Sequence, residues 1–362
     1  MLWRAFAMLA HGARRVGLRP AAVPPPSRLC QNPEQVLRTF ERVDEAIWSS
    51  QALIACAQSG LIAYLDRPTT ISSLATSLDL PQEIVHNLVG VLAGFGLVTI
   101  DGDRILAAPG FLPFTGQQGA PVFDGAVRAP LLQAEHFRKH LAERTLNLEG
   151  WTHTDPAVIE AQGILTRLWT KAAIAKLRYL PGLAERLNRG GALLDVGAGA
   201  AGLSITLCQA FPALTATALE PASAPAAIGE HQIRSAGLGD RIKLRRQRVE
   251  EIEDVAAFDL VFLPQMFLPD AVIDPALAAL FRAMRPGAWV LVPVMARRGQ
   301  DLPSAIARLK TLLWGGNARD VDMVAERLAA AGFAPVIRAP GRQAIRMICA
   351  RRPFHATLAT LK

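Results

Sequence analysis

The sequence predicts an α/β protein: a mainly helical N-terminal part followed by a doubly wound, largely parallel sheet. Three observations carry this. Up to about position 190 apolar residues recur mostly at helical spacing, whereas from Gly191 short apolar runs alternate with helical stretches. The first such run, Ala192–Val196, ends in Gly197-Ala198-Gly199-Ala200-Ala201-Gly202, and a helical pattern follows at once. Finally, 51% hydrophobic against 19% charged residues is enough for a sizeable core in 362 residues. No apolar run reaches the roughly 20 residues of a membrane span, so no membrane contact is expected.

Residues 1–32 read as a disordered basic tail. Residues 1–30 hold five arginines and no acid, and Pro24-Pro25-Pro26 forms a linker. The apolar stretch is too short for a secretory signal, although the composition resembles a mitochondrial presequence. Most of the formal +8 charge lies in this tail, so the basic balance does not argue for a nucleic-acid surface. Four well-separated cysteines with no CxxC suggest neither a disulfide framework nor a metal site, and a reducing, cytoplasmic compartment fits them.

Residues 33–108 begin with Val36, Phe40, Val43, Ile47 and Ile54 at helical spacing. A short helix, Leu74–Leu78, is expected after a Ser72-Ser73 cap, and a third helix, Gln82–Gly94, after Pro81. Asp101-Gly102-Asp103 between two apolar runs signals a hairpin. Helices followed by a hairpin make a winged helix. Its would-be recognition helix, Gln82–Gly94, has no Lys or Arg to neutralise phosphate. A packing or dimerisation role is therefore favoured over DNA binding, and a ligand-sensing transcription regulator is the weakest alternative.

Residues 109–190 read as a helical connector, with helices over Val127–Leu148 and Ala157–Leu187, the second broken near Pro181-Gly182. Between them, Gly150-Trp151-Thr152-His153-Thr154-Asp155-Pro156 has two readings. Either its Trp, His, Thr and Asp line a ligand pocket, or Asp or Thr caps the next helix while Trp151 packs on the neighbouring domain.

Residues 191–351 form the α/β unit. Strands are expected at Ala192–Val196, Leu214–Leu219, Ile242–Leu244, Phe258–Leu263 and Ala288–Val294, the last preceded by a turn at Arg285-Pro286-Gly287. Helices are expected at Leu203–Ala210, Pro225–Ala236, Ile273–Met284, Leu302–Trp314 and Val321–Ala331. Phe333–Ile337 and Ala344–Cys349 close as an antiparallel pair, giving seven strands, and 352–362 is a C-terminal tail. Ligand is expected at the carboxyl ends of the strands. Glu220, eighteen residues after Gly202 and at the end of the second strand, stands where an acid accepts hydrogen bonds from a ribose diol.

The order Asp195-x-Gly197-x-Gly199, Glu220, Phe258-Asp259-Leu260-Val261 and Arg285-Pro286-Gly287 resembles that of class I S-adenosylmethionine-dependent methyltransferases. With the N-terminal module and the connector, residues 33–350 resemble the small-molecule O-methyltransferase family. The resemblance implies a Rossmann-like catalytic domain, S-adenosyl-L-methionine as cofactor, a small secondary-metabolite-like acceptor and a homodimer joined through the N-terminal domains. It places Asp195, Gly197, Gly199 and Gly202 around the methionine part and Glu220 on the ribose. Trp151, Gln162 and Gln265 are the expected acceptor-pocket residues.

Two departures stand out. Arg248 falls where the family usually places an acid for the adenine amino group, which leaves the Val249 backbone, Glu250 or Glu251 for that contact, or no such contact at all. The segment after the fourth strand, Leu263-Pro264-Gln265-Met266-Phe267-Leu268-Pro269-Asp270, lacks the family's catalytic His. Methyl transfer then rests on proximity and alignment, with His153 in the connector the leading candidate base. The same departures motivate the alternative of a member that keeps the fold, binds a metabolite or runs another reaction, and does not methylate.

Overall fold

A computed structural model describes residues 32–145, 148, 151, 154–295, 298–339 and 345–354. Residues 1–31 of the expected tail, residues 355–362 and His153 lie outside the described residues, while Asn32, expected in the tail, belongs to the first helix as its cap.

Helix α1, Pro33–Gln58, starts on Asn32, whose side chain accepts from the Gln35 N–H at 3.0 Å. Helix α2, Ile71–Leu78, is capped by Thr70 instead of the Ser pair: its hydroxyl accepts from the Ser73 N–H at 3.2 Å. Helix α3 is Gln82–Gly94. Strands β2, Val98–Asp101, and β3, Arg104–Ala107, form the hairpin, and a two-residue strand β1, Thr69–Thr70, adds to β3.

The connector corrects one expectation. Helix α4 runs Gly116–Ala142, starting earlier and ending sooner than the 127–148 pattern, and it carries Pro121 and Pro130 within it. Packing overrides the proline cost here: a Cβ at Gly125 would lie 2.8 Å from Ile164, so the next helix sits directly against this one. That helix, α5, is Pro156–Leu177, and α6 is Leu183–Asn188, with the break at Gly182.

Then come β4 (Ala192–Val196), α7 (Gly202–Ala210), β5 (Thr215–Leu219), α8 (Ser223–Ser235), β6 (Ile242–Arg245) and β7 (Phe258–Phe262). The chain continues through α9 (Asp270–Ala283), β8 (Met284–Val294), α10 (Leu302–Leu313), α11 (Val321–Ala330), β9 (Val336–Arg338) and β10 (Arg346–Arg351). The seven-stranded sheet has the order β6-β5-β4-β7-β8-β10-β9, and β10 is antiparallel to both neighbours. The expected turn at 285–287 lies inside β8; the register against β7 shifts between Phe258 and Leu260, and Gly287 at φ +79° absorbs the irregularity.

Strand β4 explains why its sequence shows no alternation. Leu194 and Val196 belong to the core under α9 and α11, while Leu193 belongs to the core under α6 and α7. Both faces are covered, so the strand must be apolar throughout. Asp195 is the exception, and β4 is also where the strand order reverses, which in open α/β sheets opens a crevice at the carboxyl ends.

Candidate functional site

The crevice at the carboxyl ends of β4 to β7 holds a cavity of about 400 Å³. Asp195, Gly197, Gly199, Glu220, Val249 and Glu250 line it, as do Trp151 and Gln162. Two expected residues lie elsewhere. Gly202 is packed against α5: a Cβ there would meet the Gly163 carbonyl oxygen at 2.6 Å. Gln265 is 1% exposed and turned into the protein, where its side-chain oxygen accepts from Arg319 Nε at 2.8 Å.

The glycine loop is held by backbone and carboxylate together. The Ala198 N–H donates to the Leu219 carbonyl at 2.8 Å. The Gly199 N–H donates to one oxygen of Glu220, and the Ala222 N–H to the other, both at 2.9 Å. Each oxygen keeps acceptor capacity for a ligand. Gly197 and Gly199 take φ of +64° and +54°, and a Cβ at Gly199 would meet nothing within 4 Å, so that position opens onto free space. Burial raises the Glu220 pKa, against the hydrogen bonds from Ala222 and Gly199.

Asp195 is 2% exposed and accepts from the Ser204 hydroxyl at 2.7 Å. Burial pushes its carboxyl up to about 7, against the bonds from Ser204 and with help from the nearby Glu220 charge. The native state therefore holds a proton that the unfolded chain releases near pH 4. The resulting stability is complete below about pH 4 and is lost as pH rises through 7.

Past β6, Gln247, Arg248, Val249 and Glu250 line the cavity, and Arg248 pairs with Glu250 at 3.6 Å. The Glu251 carboxylate is engaged by the Arg248 N–H at 3.2 Å and does not line it.

The remaining wall comes from Trp151, α5 and the segment after β7. Ile159, Thr166, Pro264, Phe267, Leu268, Pro269 and Val272 join Trp151 and Gln162 there, and none has a titratable side chain. Trp151 meets Phe267 edge-on at 5.3 Å between ring centres, and Trp314 lies 5.1 Å from Phe267. Gln162 accepts from Gln133 at 2.8 Å. Asp155 caps α5 through the Ala157 N–H at 2.8 Å, so Trp151 belongs to the cavity wall and Asp155 to the helix cap.

Asp270 opens α9. Partial burial favours its protonation, but hydrogen bonds from Asn317 and Arg319, with the charges of Arg319 and Arg327, hold its pKa below the ordinary value. It is a charged partner, unsuited to accept a proton at neutral pH. Phe267 on the wall, with Trp314 and Arg319 behind it, has no local signature in the sequence, since an aromatic or Arg at a helix edge gives no sign of what it faces.

Residues 193–287 match the family model for a methyltransferase domain. An O-methyltransferase family protein from Burkholderia thailandensis has a similar structure, with a TM-score of 0.64, 16% identity and coverage of 88% of this chain and 98% of that one. The S-adenosylmethionine-dependent methyltransferase SibL gives 0.60 at 22% identity, covering 88% and 99%. Human N-acetylserotonin methyltransferase, solved with S-adenosylmethionine, gives 0.59 at 16% identity, covering 88% and 98%. A search of curated protein sequences found no match. These likenesses show the fold over nearly the whole length of each relative. The chain therefore carries a methyltransferase domain, whose matched residues hold the glycine loop, Asp195, Glu220 and the segment after β7, in the fold shared by O-methyltransferases.

Proposed function

We propose that the protein transfers a methyl group from S-adenosyl-L-methionine to a small-molecule acceptor, and that it does so by alignment. The observation that carries this reading is one cavity bounded by the Asp195, Glu220 and glycine-loop cluster and, elsewhere, by a wall with Trp151 and Phe267 that holds no titratable group among the described residues. The residues fit the cofactor. Glu220 has free acceptor sites for a ribose diol, the side-chain-free opening at Gly199 admits close approach to backbone, and the buried Asp195 carboxylate suits the amino group of the methionine part. Val249 and Glu250 are left for the adenine, since Arg248 brings a cation.

Bound cofactor supplies an electrophilic methyl on a sulfonium whose charge is neutralised in the transfer. The chain's part is to hold an acceptor on the Trp151 and Phe267 wall, exclude water and let Gln162 orient it by hydrogen bonds. Where the acceptor must lose a proton, His153 is the base we propose, being two residues from Trp151 in the chain. With such an acceptor, His153→Ala should lower kcat by about two orders of magnitude, and a change within about threefold would leave alignment alone. Calorimetry with S-adenosylmethionine and S-adenosylhomocysteine tests the whole reading: absence of binding by both at about 100 µM would reject it. The competing reading is a fold relative that does not methylate. It gains if Arg248→Asp creates cofactor binding where the natural chain has none.

Asp195 should make binding pH-dependent. A ligand ammonium beside it favours the carboxylate, so binding releases a proton below pH 7. S-adenosylhomocysteine affinity should fall by up to about tenfold per pH unit below 7. Asp195→Asn should flatten that slope, and a flat profile in the natural protein would count against this placement.

The N-terminal helical domain is read as a dimerisation module. Val36, Phe40, Val43 and Ile47 share one face of α1, and with Leu37 and Trp48 they are exposed, Phe40 by 62% and Trp48 by 67%. That face suits a second copy of the chain. Sedimentation should show a dimer at micromolar concentration, and Phe40→Glu with Ile47→Glu should give a monomer. No helix among the described residues is long and apolar enough to cross a membrane.

A further inference from the structure

We propose that Arg319 is the positioning residue of the acceptor wall: its buried guanidinium clamps the segment after β7 into the shape that faces the acceptor. This rests on the methyltransferase reading of the cavity. Arg319 is 1% exposed and precedes α11, remote in sequence from the wall it holds. Its Nε donates to the Gln265 side chain at 2.8 Å. One terminal nitrogen donates to the Gln265 carbonyl at 2.6 Å and the Leu268 carbonyl at 2.5 Å, and the other to Asp270. A single planar fork thus binds three successive stations of residues 265–270. Pro264, Phe267, Leu268 and Pro269 of that segment line the cavity.

A second contact locks the same two segments independently. Gly316 lies so close under the loop that a Cβ there would sit 1.7 Å from the Met266 carbonyl oxygen. Trp314, two residues earlier, packs at a tilt against Phe267, 5.1 Å between ring centres, so residues 314–319 supply both a ring behind the wall and the clamp. A guanidinium suits this task because its donors lie in one fixed plane and match several acceptors at once, whereas a lysine ammonium is a point donor on a flexible stem. Among the described residues of this wall none has a titratable side chain, so the rate depends on how well the wall aligns the acceptor, and the clamp acts on the step through Phe267 and Leu268.

The test uses the full chain with Arg319→Lys and Arg319→Ala, read by hydrogen exchange, near-ultraviolet circular dichroism and S-adenosylhomocysteine calorimetry. The proposal expects exchange in residues 263–270 to rise about tenfold or more. It expects the aromatic dichroism of the Trp151, Phe267 and Trp314 cluster to collapse while β4 amides stay protected. Cofactor-product affinity should stay within about threefold, because the Glu220 end is untouched. Added guanidinium at non-denaturing concentration should restore the aromatic signal of Arg319→Ala, and ammonium should not. An unchanged aromatic signal and unchanged exchange would overturn the proposal. Unfolding of both variants, or exchange rising equally throughout the sheet, would overturn it too by making Arg319 a general stability element. Failure of the natural protein to bind S-adenosylhomocysteine would instead reject the methyltransferase reading.

Discussion

Gly199→Val is expected to abolish S-adenosylhomocysteine binding while leaving a folded protein. Gly199 holds φ at +54°, a region that a β-branched residue enters at a cost of about 1–3 kcal/mol. The valine side chain would point where no atom lies within 4 Å, so nothing in the fold resists it and the ligand's space takes it instead. The strain can be met by turning the loop, but that withdraws the Gly199 N–H from Glu220 and disturbs both the loop and the acid at once. Gly199→Ala should be milder, a loss of about tenfold, since a single methyl in this region costs about 1–2 kcal/mol and Ala201 already sits at φ +58° nearby. Calorimetry with thermal melting checks both. Natural affinity in the valine variant would show that the loop is a turn and nothing more.

Glu220→Ala carries the second large effect. Two backbone N–H groups, of Gly199 and Ala222, lose their acceptor in a site where the carboxylate is 8% exposed. Leaving a buried donor unpaired costs about 1–3 kcal/mol. Charge-assisted bonds to the ligand diol, worth about 1.5–3 kcal/mol each, go as well. Affinity should therefore fall by about 10²-fold or more, and the melting temperature by several degrees. Glu220→Gln is not a mild control, because an amide has one oxygen for two N–H donors and turns its own NH₂ toward the other. It should lose nearly as much affinity as alanine. Binding within about threefold of natural in either variant would remove Glu220 from the ribose site.

The sheet was legible because a strand covered on both faces must be apolar throughout, and a glycine loop between such a strand and a helix breaks the pattern visibly. Ala192–Val196, Thr215–Leu219 and Phe258–Phe262 appear at or within a residue of their expected bounds for that reason. Helix α4 was legible only in its later half, since Pro121 argues against the first turns of a helix that contacts with α5 nonetheless sustain.

The same contrast divides the site. The sequence, through the family its motif order resembles, determined that Asp195, Gly197, Gly199 and Glu220 would converge, because the strand–glycine loop–helix pattern and the acid ending the next strand are legible locally. It could not separate the three glycines. Gly199 opens onto the cavity, whereas Gly202 faces the Gly163 carbonyl on a helix some forty residues earlier, and spacing within a motif says nothing of what another helix brings against it. Gln265 and Arg319 make the point most directly. Gln265 sits in the segment that lines the cavity, yet its side chain turns inward to a guanidinium 54 residues away. Which way a side chain turns at a strand exit depends on partners delivered by the fold, so only the tertiary structure decided that Phe267 forms the wall and Arg319 holds it in place.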